Sequence, residues 1–252
     1  MLRDLRESVR ALLRSPGFSA IVVLTLGLII GVNVTIFSAL SAVVLSPLGY
    51  ADPDRLVVLW ESNPQIGVEQ EDVSGATFAD WRERSESFES MAAYRYRGFT
   101  LTWGEDPEPI TTIETSPALF PLLGAQARLG RVFTPDEETP GNEHLVLLSH
   151  GAWSRRFGED PEVLGRTVSL DGEPYTIVGV MPEEFTFPAG DSDVEMWSPL
   201  TLGADVLNVR PHRMYVVIGR LASGTDLSGA STEMSAIARE IADENPMTNR
   251  GW

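Results

Sequence analysis

Hydrophobic positions run together near the N-terminus and alternate with polar ones after it. From Ser15 to Ala51 there is no charged residue, and between Phe18 and Leu40 fourteen positions are Val, Leu, Ile or Phe. A helix needs about 20 apolar residues to cross the hydrocarbon core of a bilayer. At about −0.3 to −0.6 kcal/mol each near the bilayer centre, these side chains contribute on the order of −4 to −8 kcal/mol, which outweighs Asn33 and the scattered Ser and Thr. The pattern predicts a transmembrane helix over 18–48. Small residues at Ser38–Ala42 would suit cleavage of a signal peptide. Signal h-regions run only about 7–15 residues, however, and this apolar core is about twice as long, so an uncleaved anchor is expected.

Ahead of the span, Leu2, Leu5, Val9, Leu12 and Leu13 recur at helical spacing, with Arg3, Arg6, Arg10 and Arg14 mostly on the other side. Ser15-Pro16-Gly17 ends the pattern, which reads as an amphipathic helix over 1–17 lying on the cytoplasmic surface. The four arginines precede the span and Asp52 and Asp54 follow it, so the N-terminus is expected inside and residues 51–252 outside the cytoplasm. Within the span Gly27, Gly31, Thr35 and Ala39 recur every four residues and form one ridge of small side chains. Such a ridge lets a second helix approach closely, and a lone anchor has no need of one.

After the membrane the periods shorten. Leu56–Trp60 reads as a buried strand and Glu69–Asp72 as a solvated acidic loop. Ser74 is the expected N-cap of a helix carrying Phe78 and Trp81. Phe99–Trp103 and Ile110–Ile113 read as strands joined through Glu105-Asp106-Pro107. Ser116-Pro117 and Gly124 have the N-cap, N1-proline and C′-glycine layout of a short helix with Leu119, Phe120, Leu122 and Leu123 apolar. A second block starts near Thr134, with a strand at Leu145–Leu148 and a helix at Gly151–Phe157 ending at Gly158. Two β-rich runs, Arg166–Leu170 and Tyr175–Val180, flank Asp171-Gly172, a hairpin turn signal. Met214–Leu221 is an apolar strand, expected to rejoin Leu56–Trp60. A helix follows from about Asp226 to Asn245, with Leu227, Ala230, Met234, Ile237 and Ile241 as its apolar stripe. The alternation predicts an α+β fold of two lobes.

Charge and chemistry narrow the function. The whole chain carries −17, residues 1–50 carry +2, and residues 51–252 therefore carry −19. So negative a field argues against nucleic acid and anionic lipid headgroups as partners of the exported part. Every cation is Arg, for which a GC-rich genome is the simplest reason. Cysteine is absent, so no disulfide or thiolate metal site exists, and an exported part of this length needs neither. His144, His150 and His212 are the only histidines and lack metal-ligand spacing, so no metal or cofactor is expected. There is no G-x-S-x-G elbow and no Lys-containing phosphate loop, so any ATP-driven work needs a separate ATPase. Glu137-Glu138 and Glu183-Glu184 are adjacent pairs, read as solvated surface rather than as acid/base machinery. No catalytic residue is assigned.

The order of motifs resembles the MacB-type ABC transporter permeases of the FtsX-like superfamily, in particular their periplasmic core domain. The matching stretches are Arg14–Phe18, Asn33–Ser38, Asp52–Val57, Asp80-Trp81-Arg82, Ser87–Tyr94 and Leu129–Phe133. The densest run goes from Leu148-Ser149-His150 through Trp153, Arg155–Gly158, Asp160-Pro161, Leu164-Gly165-Arg166 and Asp171-Gly172 to Tyr175–Pro182. These are scaffold motifs. Trp81, Phe88, Trp153 and Phe157 are spaced to bury against a sheet, and Gly158, Gly165, Gly172 and Gly179 stand where turns or close packing want glycine.

The resemblance implies a non-catalytic permease subunit in a bacterial inner membrane, working with a separate ABC ATPase subunit and with other permease helices as a dimer. It also implies a porter-like lobe of 51–133 plus 205–252 and an inserted β-rich lobe of 134–204. Such permeases continue into further membrane spans, whereas this sequence stops at Gly251-Trp252, so a fragment is expected. The alternative from another class is a singly anchored extracytoplasmic binding or sensor module; an anchored hydrolase has only the ample Asp and Glu in its favour.

Overall fold

A computed structural model describes residues 49–103 and 106–252. The expected surface helix at 1–17, the span at 18–48 and the ridge of Gly27, Gly31, Thr35 and Ala39 lie outside the described residues. Among the described residues no helix is long and apolar enough to cross a membrane.

The strands are β1 (Leu56–Leu59), β2 (Glu61–Asn63), β3 (Val68–Glu71), β4 (Val73–Ser74), β5 (Phe88–Thr102) and β6 (Pro107–Thr115). After them come β7 (Leu129–Gly130), β8 (Leu145–Leu148), β9 (Thr167–Leu170), β10 (Glu173–Val180), β11 (Val194–Pro199) and β12 (Arg213–Leu221). The helices are α1 (Gly75–Arg84), α2 (Leu119–Leu123), α3 (His150–Phe157), α4 (Ala204–Leu207) and α5 (Leu227–Glu244). One mixed sheet runs in the order β1-β12-β5-β6-β11-β8-β10-β7, with β4 beside β12 and β9 beside β10 and β5; β2 and β3 form a separate ribbon.

The 15-residue β5 joins the parts. Its first half, Phe88–Tyr94, pairs with β12, its second half pairs with β6, and Leu101 and Thr102 also meet β9. Successive side chains point to opposite faces of a strand, so each half can serve two cores. Met91 and Ala93 face a core built with Phe78, Trp81, Tyr215, Ile237 and Ile241, under helices α1 and α5. Ala92 and Tyr94 face another, built from α2, Phe133, Phe187 and Trp197. Phe99 and Leu101 enter a third, around Trp153, Val168, Leu170 and Ile177.

Many local expectations hold. β1 pairs antiparallel with β12, from Leu56↔Arg220 to Leu59↔Val217. β9 and β10 pair antiparallel around Asp171 (φ 51°) and Gly172 (φ 90°), a turn with both central residues left-handed. Ser74 caps α1 as expected, accepting from Thr77 N, and Ser149, not singled out from sequence, caps α3 by accepting from Ala152 N. Gly179 sits where a Cβ would lie 2.4 Å from Arg131 O and 3.0 Å from Leu129 O, so only glycine lets β7 approach β10.

Other expectations are corrected. Leu56–Trp60 is half-exposed rather than buried: β1 is an edge strand, and Val58 and Trp60 are 48% and 40% exposed. Glu69–Asp72 is no loop, because Val68–Glu71 is a strand against β2; pairing of the backbone outweighed acidic side chains of low strand propensity. Ser116 does not cap α2, whose N-cap position is Ala118. Ser116 is buried and its hydroxyl accepts from Ala93 N on β5, since a buried strand N–H is costlier to leave unpaired than a short helix end. Leu227 is 64% exposed, the first residue of α5, and drops out of the apolar stripe.

Helix α5 is tied down by Glu233, whose carboxylate accepts from Glu86 N (2.8 Å), Ser87 N (2.9 Å) and Ser85 Oγ (3.0 Å) in the turn between α1 and β5. Desolvation is the largest single effect and pushes this carboxyl up, yet the hydrogen bonds from Ser87, Glu86 and Ser85 together bring it below the usual Glu range. A carboxylate with a depressed folded pKa adds stability above its unfolded value, about 4.3, and loses it as pH falls through the folded value. Glu233→Gln is expected to cost about 1 kcal/mol at pH 7. Thermal melts of both proteins from pH 7 to pH 3 should show that gap closing; a gap independent of pH would refute the carboxylate's role.

Candidate functional site

The most constrained polar arrangement among the described residues lies where residues 49–55 join the sheet. Arg220 on β12 is buried, 6% exposed, with its partner carboxylate Asp52 only at 4.0 Å and largely exposed. Its guanidinium spends its donors on backbone carbonyls instead. Nη2 donates to Ala51 O (2.5 Å) and Leu122 O (2.6 Å), Nη1 to Asp52 O (3.2 Å) and Nε to Leu122 O (3.2 Å). Three peptide carbonyls from two chain segments thus converge on one side chain of a third.

The chemistry explains the choice of residue. The last carbonyls of a helix have no partner inside it and carry partial negative charge. At the end of α2, Leu122 O takes Arg220 and Leu123 O takes the Ala51 N–H at 2.9 Å. Gly124 follows with φ 70°, and a Cβ there would sit 2.6 Å from the Ala51 Cβ, so the incoming segment lies directly against the helix end. A planar fork can bridge carbonyls that an ammonium point charge cannot. Two further contacts complete the clamp. Arg55 donates to Leu221 O (Nε, 2.9 Å) and pairs with Glu89 at 2.5 Å. Tyr50 lies among Phe185 and Phe187, ring centroids 6.3 Å away in each case, and its hydroxyl donates to Thr186 O at 2.5 Å. Burial, and after it the neighbouring Tyr94, pushes the Tyr50 phenol up to about 12.

This arrangement can bear load but has no reactive group. Its polar atoms are spent on one another, and residues 51 and 52 are bonded to both α2 and β12.

The residues weighed from sequence fall elsewhere. His144 is exposed and stacks on Tyr175 (4.9 Å), His150 lies edge-on to Trp153 (5.6 Å) and His212 is exposed. Among the described residues no three His, Cys, Asp or Glu side chains form a group able to hold a metal ion. Glu183 and Glu184 are exposed, as read. Glu137 is not: it is 7% exposed, accepts from Thr134 N (2.8 Å) and receives Arg131 through both guanidinium nitrogens (2.6 and 3.1 Å). Thr134-x-x-Glu137 is a capping-box spacing, a signal present in the sequence and passed over. Nothing local marks Arg220 or Tyr50, because their partners lie 98–169 and 136 residues away.

Residues 19–237 match the family described as MacB-like periplasmic core domain. No curated protein matches the chain. Three solved structures share its fold. The periplasmic region of MacB from Actinobacillus actinomycetemcomitans is 13% identical with a TM-score of 0.57, over 82% of this chain and 91% of that one. A domain of a Porphyromonas gingivalis protein described as a permease is 18% identical with a TM-score of 0.60, over 79% and 87%. The extracellular domain of the noncanonic ABC-type transporter YknZ from Gram-positive bacteria is 15% identical with a TM-score of 0.52, over 77% and 95%.

Replacing Arg220 tests the clamp. Arg220→Met leaves three carbonyls without their donor, and hydrogen bonds to charged groups contribute about 1.5–3 kcal/mol. A loss of about 2–3 kcal/mol in chemical denaturation is expected, with Arg220→Lys recovering less than half of it. Equal stability of both variants and the parent would show that the carbonyls need no guanidinium.

Proposed function

We propose that this chain, which belongs to the family of the MacB-like periplasmic core domain, is part of a non-catalytic permease subunit of an ABC transporter. In this reading residues 18–48 span the inner membrane with the N-terminus cytoplasmic, and residues 51–252 form the extracytoplasmic domain. A separate cytoplasmic ATPase supplies the energy, and the domain receives the motion. The porter-like lobe is 51–133 with 205–252, and 134–204 is the inserted β-rich lobe. No chemistry on a substrate is assigned to the domain.

One observation carries the reading beyond family membership: the clamp on residues 49–55. A module that merely hangs from an anchor works on a slack tether, and loops at domain boundaries are ordinarily mobile and weakly bonded. Here Arg220, Arg55 and Tyr50 fasten the end of the uncharged run and the residues just after it to two elements of the core. A rigid joint passes displacement on. The four N-terminal arginines and the uncharged run from Ser15 to Ala51 support the span and its direction.

Two measurements test the assignment. Alkaline phosphatase fused after Trp252 should be active, and replacing Arg3, Arg6, Arg10 and Arg14 with Glu should weaken or reverse that activity; a strongly active cytoplasmic reporter at the same site would overturn the orientation. The small-residue ridge is tested separately. Gly27→Leu or Gly31→Leu keeps the span apolar but wedges apart helices that approach through small residues. In the permease, either change should reduce assembly or function without lowering the amount in the membrane, while bulky residues at Leu28 or Ile29 do much less. Equal tolerance at all four positions would reduce the span to a plain anchor.

A further inference from the structure

One stretch of β5 has a partner on one edge only. β6 lines that edge from Tyr94 to Thr102. On the other edge β12 pairs as far as Tyr94, and β9 begins at Leu101. Between them Asp171 takes Thr100, donating its N–H to Thr100 O (2.9 Å) and accepting from Thr100 N through its carboxylate (2.8 Å). Among the described residues no backbone pairs with Arg95–Phe99 on this edge. Ala93 N and O both meet Ser116, on the β6 side. Backbone groups alternate in direction along a strand, so the N–H and C=O of Tyr96 and Gly98 point into the gap. The gap opens on a cleft of about 500 Å³, lined by Arg95, Tyr96 and Arg97 of β5, by Met214 and Val216 of β12, and by Asp72.

Open strand edges are normally short, charged or covered, because their unpaired N–H and C=O groups recruit another strand. Charge does not cover this one. The Arg97 head is drawn to Glu114 on β6, the far side from the gap, and Arg95 Nε reaches the same carboxylate at 2.5 Å. Gly98 has no side chain, and a Cβ there would meet nothing within 4 Å. Two guanidinium groups thus share one carboxylate, and both keep donors without a strong acceptor. Arg95 Nη1 donates to the thioether sulfur of Met214 (2.8 Å), a weak acceptor. Among the described residues Arg97 Nε and Nη2 make no hydrogen bond. Asp72, also without a partner there, is pushed above the usual Asp range by burial and, after it, by Glu71. An occupant of the gap therefore needs a backbone to pair and a carboxylate for the arginines. It must carry no net negative charge, because Asp72 faces it and the domain is strongly acidic.

We propose that this notch binds an extended peptide segment of a partner protein by strand addition to β5. The segment runs antiparallel to β5, as β12 and β9 do on the same edge. Its central residue, opposite Arg97, is Asp or Glu. Residues opposite one another share a face, so that carboxylate meets the spare donors of Arg97 and Arg95. The residue before it lies opposite Gly98 and is aromatic, filling the space that glycine leaves. The residue after it packs beside Tyr96. These two flanking residues exchange backbone hydrogen bonds with Gly98 and Tyr96. The inference rests on β5 and its neighbours and is independent of the transport reading.

The test titrates the full chain with a labelled, amidated peptide, Lys-Thr-Phe-Glu-Val-Thr-Lys, read by fluorescence anisotropy and by amide hydrogen exchange. Saturable binding is expected below about 1 mM peptide. At saturation the amides of Tyr96 and Gly98 should exchange about 10-fold more slowly. N-methylation of the peptide's Phe or Val should weaken binding about 10-fold or more, because those N–H groups face β5. N-methylation of its Glu, whose N–H faces away, should leave binding within about 2-fold. Replacing the peptide's Glu with Gln, or Arg97→Gln in the protein, should each weaken binding about 3- to 10-fold. Four results overturn the proposal. They are no saturable binding; the same response to all three N-methylations; indifference to both Gln substitutions; and protection of Tyr96 and Gly98 without peptide. Such protection assigns the edge to a second copy if dilution removes it, and to this chain's own residues if dilution does not.

Discussion

Everything in the described fold hangs on the backbone ladder of β5. A strand of 15 residues is about three times the common length, and its ladder changes partner along its length, from β12 to β6 and β9. Its first half is held between β12 and β6 at Tyr94, and its second half between β6 and β9. The side chains at Met91, Ala92, Ala93 and Tyr94 alternate between two cores. Two adjacent alanines, both fully buried, are what let helices α1 and α2 pack on opposite faces at this point. A larger residue at either position would have to displace a helix, since well-packed interiors yield little.

The second organising element is charge placed by arginine alone. An acidic domain gains little from isolated surface ion pairs, and here the informative arginines are those that meet buried or half-buried acceptors. Arg220 answers carbonyls, Arg131 answers Glu137, and Arg156 bridges Glu195 and Glu108. Side-chain hydrogen bonding to Glu195 is the foremost cause that raises the Arg156 guanidinium above its ordinary value, so its charge is secure. The Arg220 and Arg156 contacts join elements that the chain order separates, whereas Arg131 and Glu137 are close neighbours along it. Guanidinium suits the task because one planar group satisfies several acceptors with fixed geometry.

A scaffold of this kind, with its aromatic and glycine motifs spent on packing, agrees with membership of the MacB-like periplasmic core domain family. The fold is kept at 13–18% identity to the solved relatives. That low figure fits cores that accept many apolar combinations while turn glycines and close-approach glycines hold the geometry. Gly179 illustrates the point, since its neighbour is backbone on the facing strand and cannot give way.

What the sequence determined by itself was local. The Asp171-Gly172 turn, the cap at Ser74, and the helix stops at Gly158 and Gly124 all rest on residues within four positions of one another. The apolar patterns of β1 and β12 also marked both as strands of one sheet. The uncharged run and its arginine flank were equally plain. Tertiary structure alone decided the rest. Val68–Glu71 became a strand because β2 lay beside it, and Ser116 served β5 instead of a helix. Arg220 and Tyr50 became the clamp through partners 98 to 169 residues away. Hydrogen-bond demand in a buried site is set by whichever groups arrive there, and a pattern read along the chain does not contain that information.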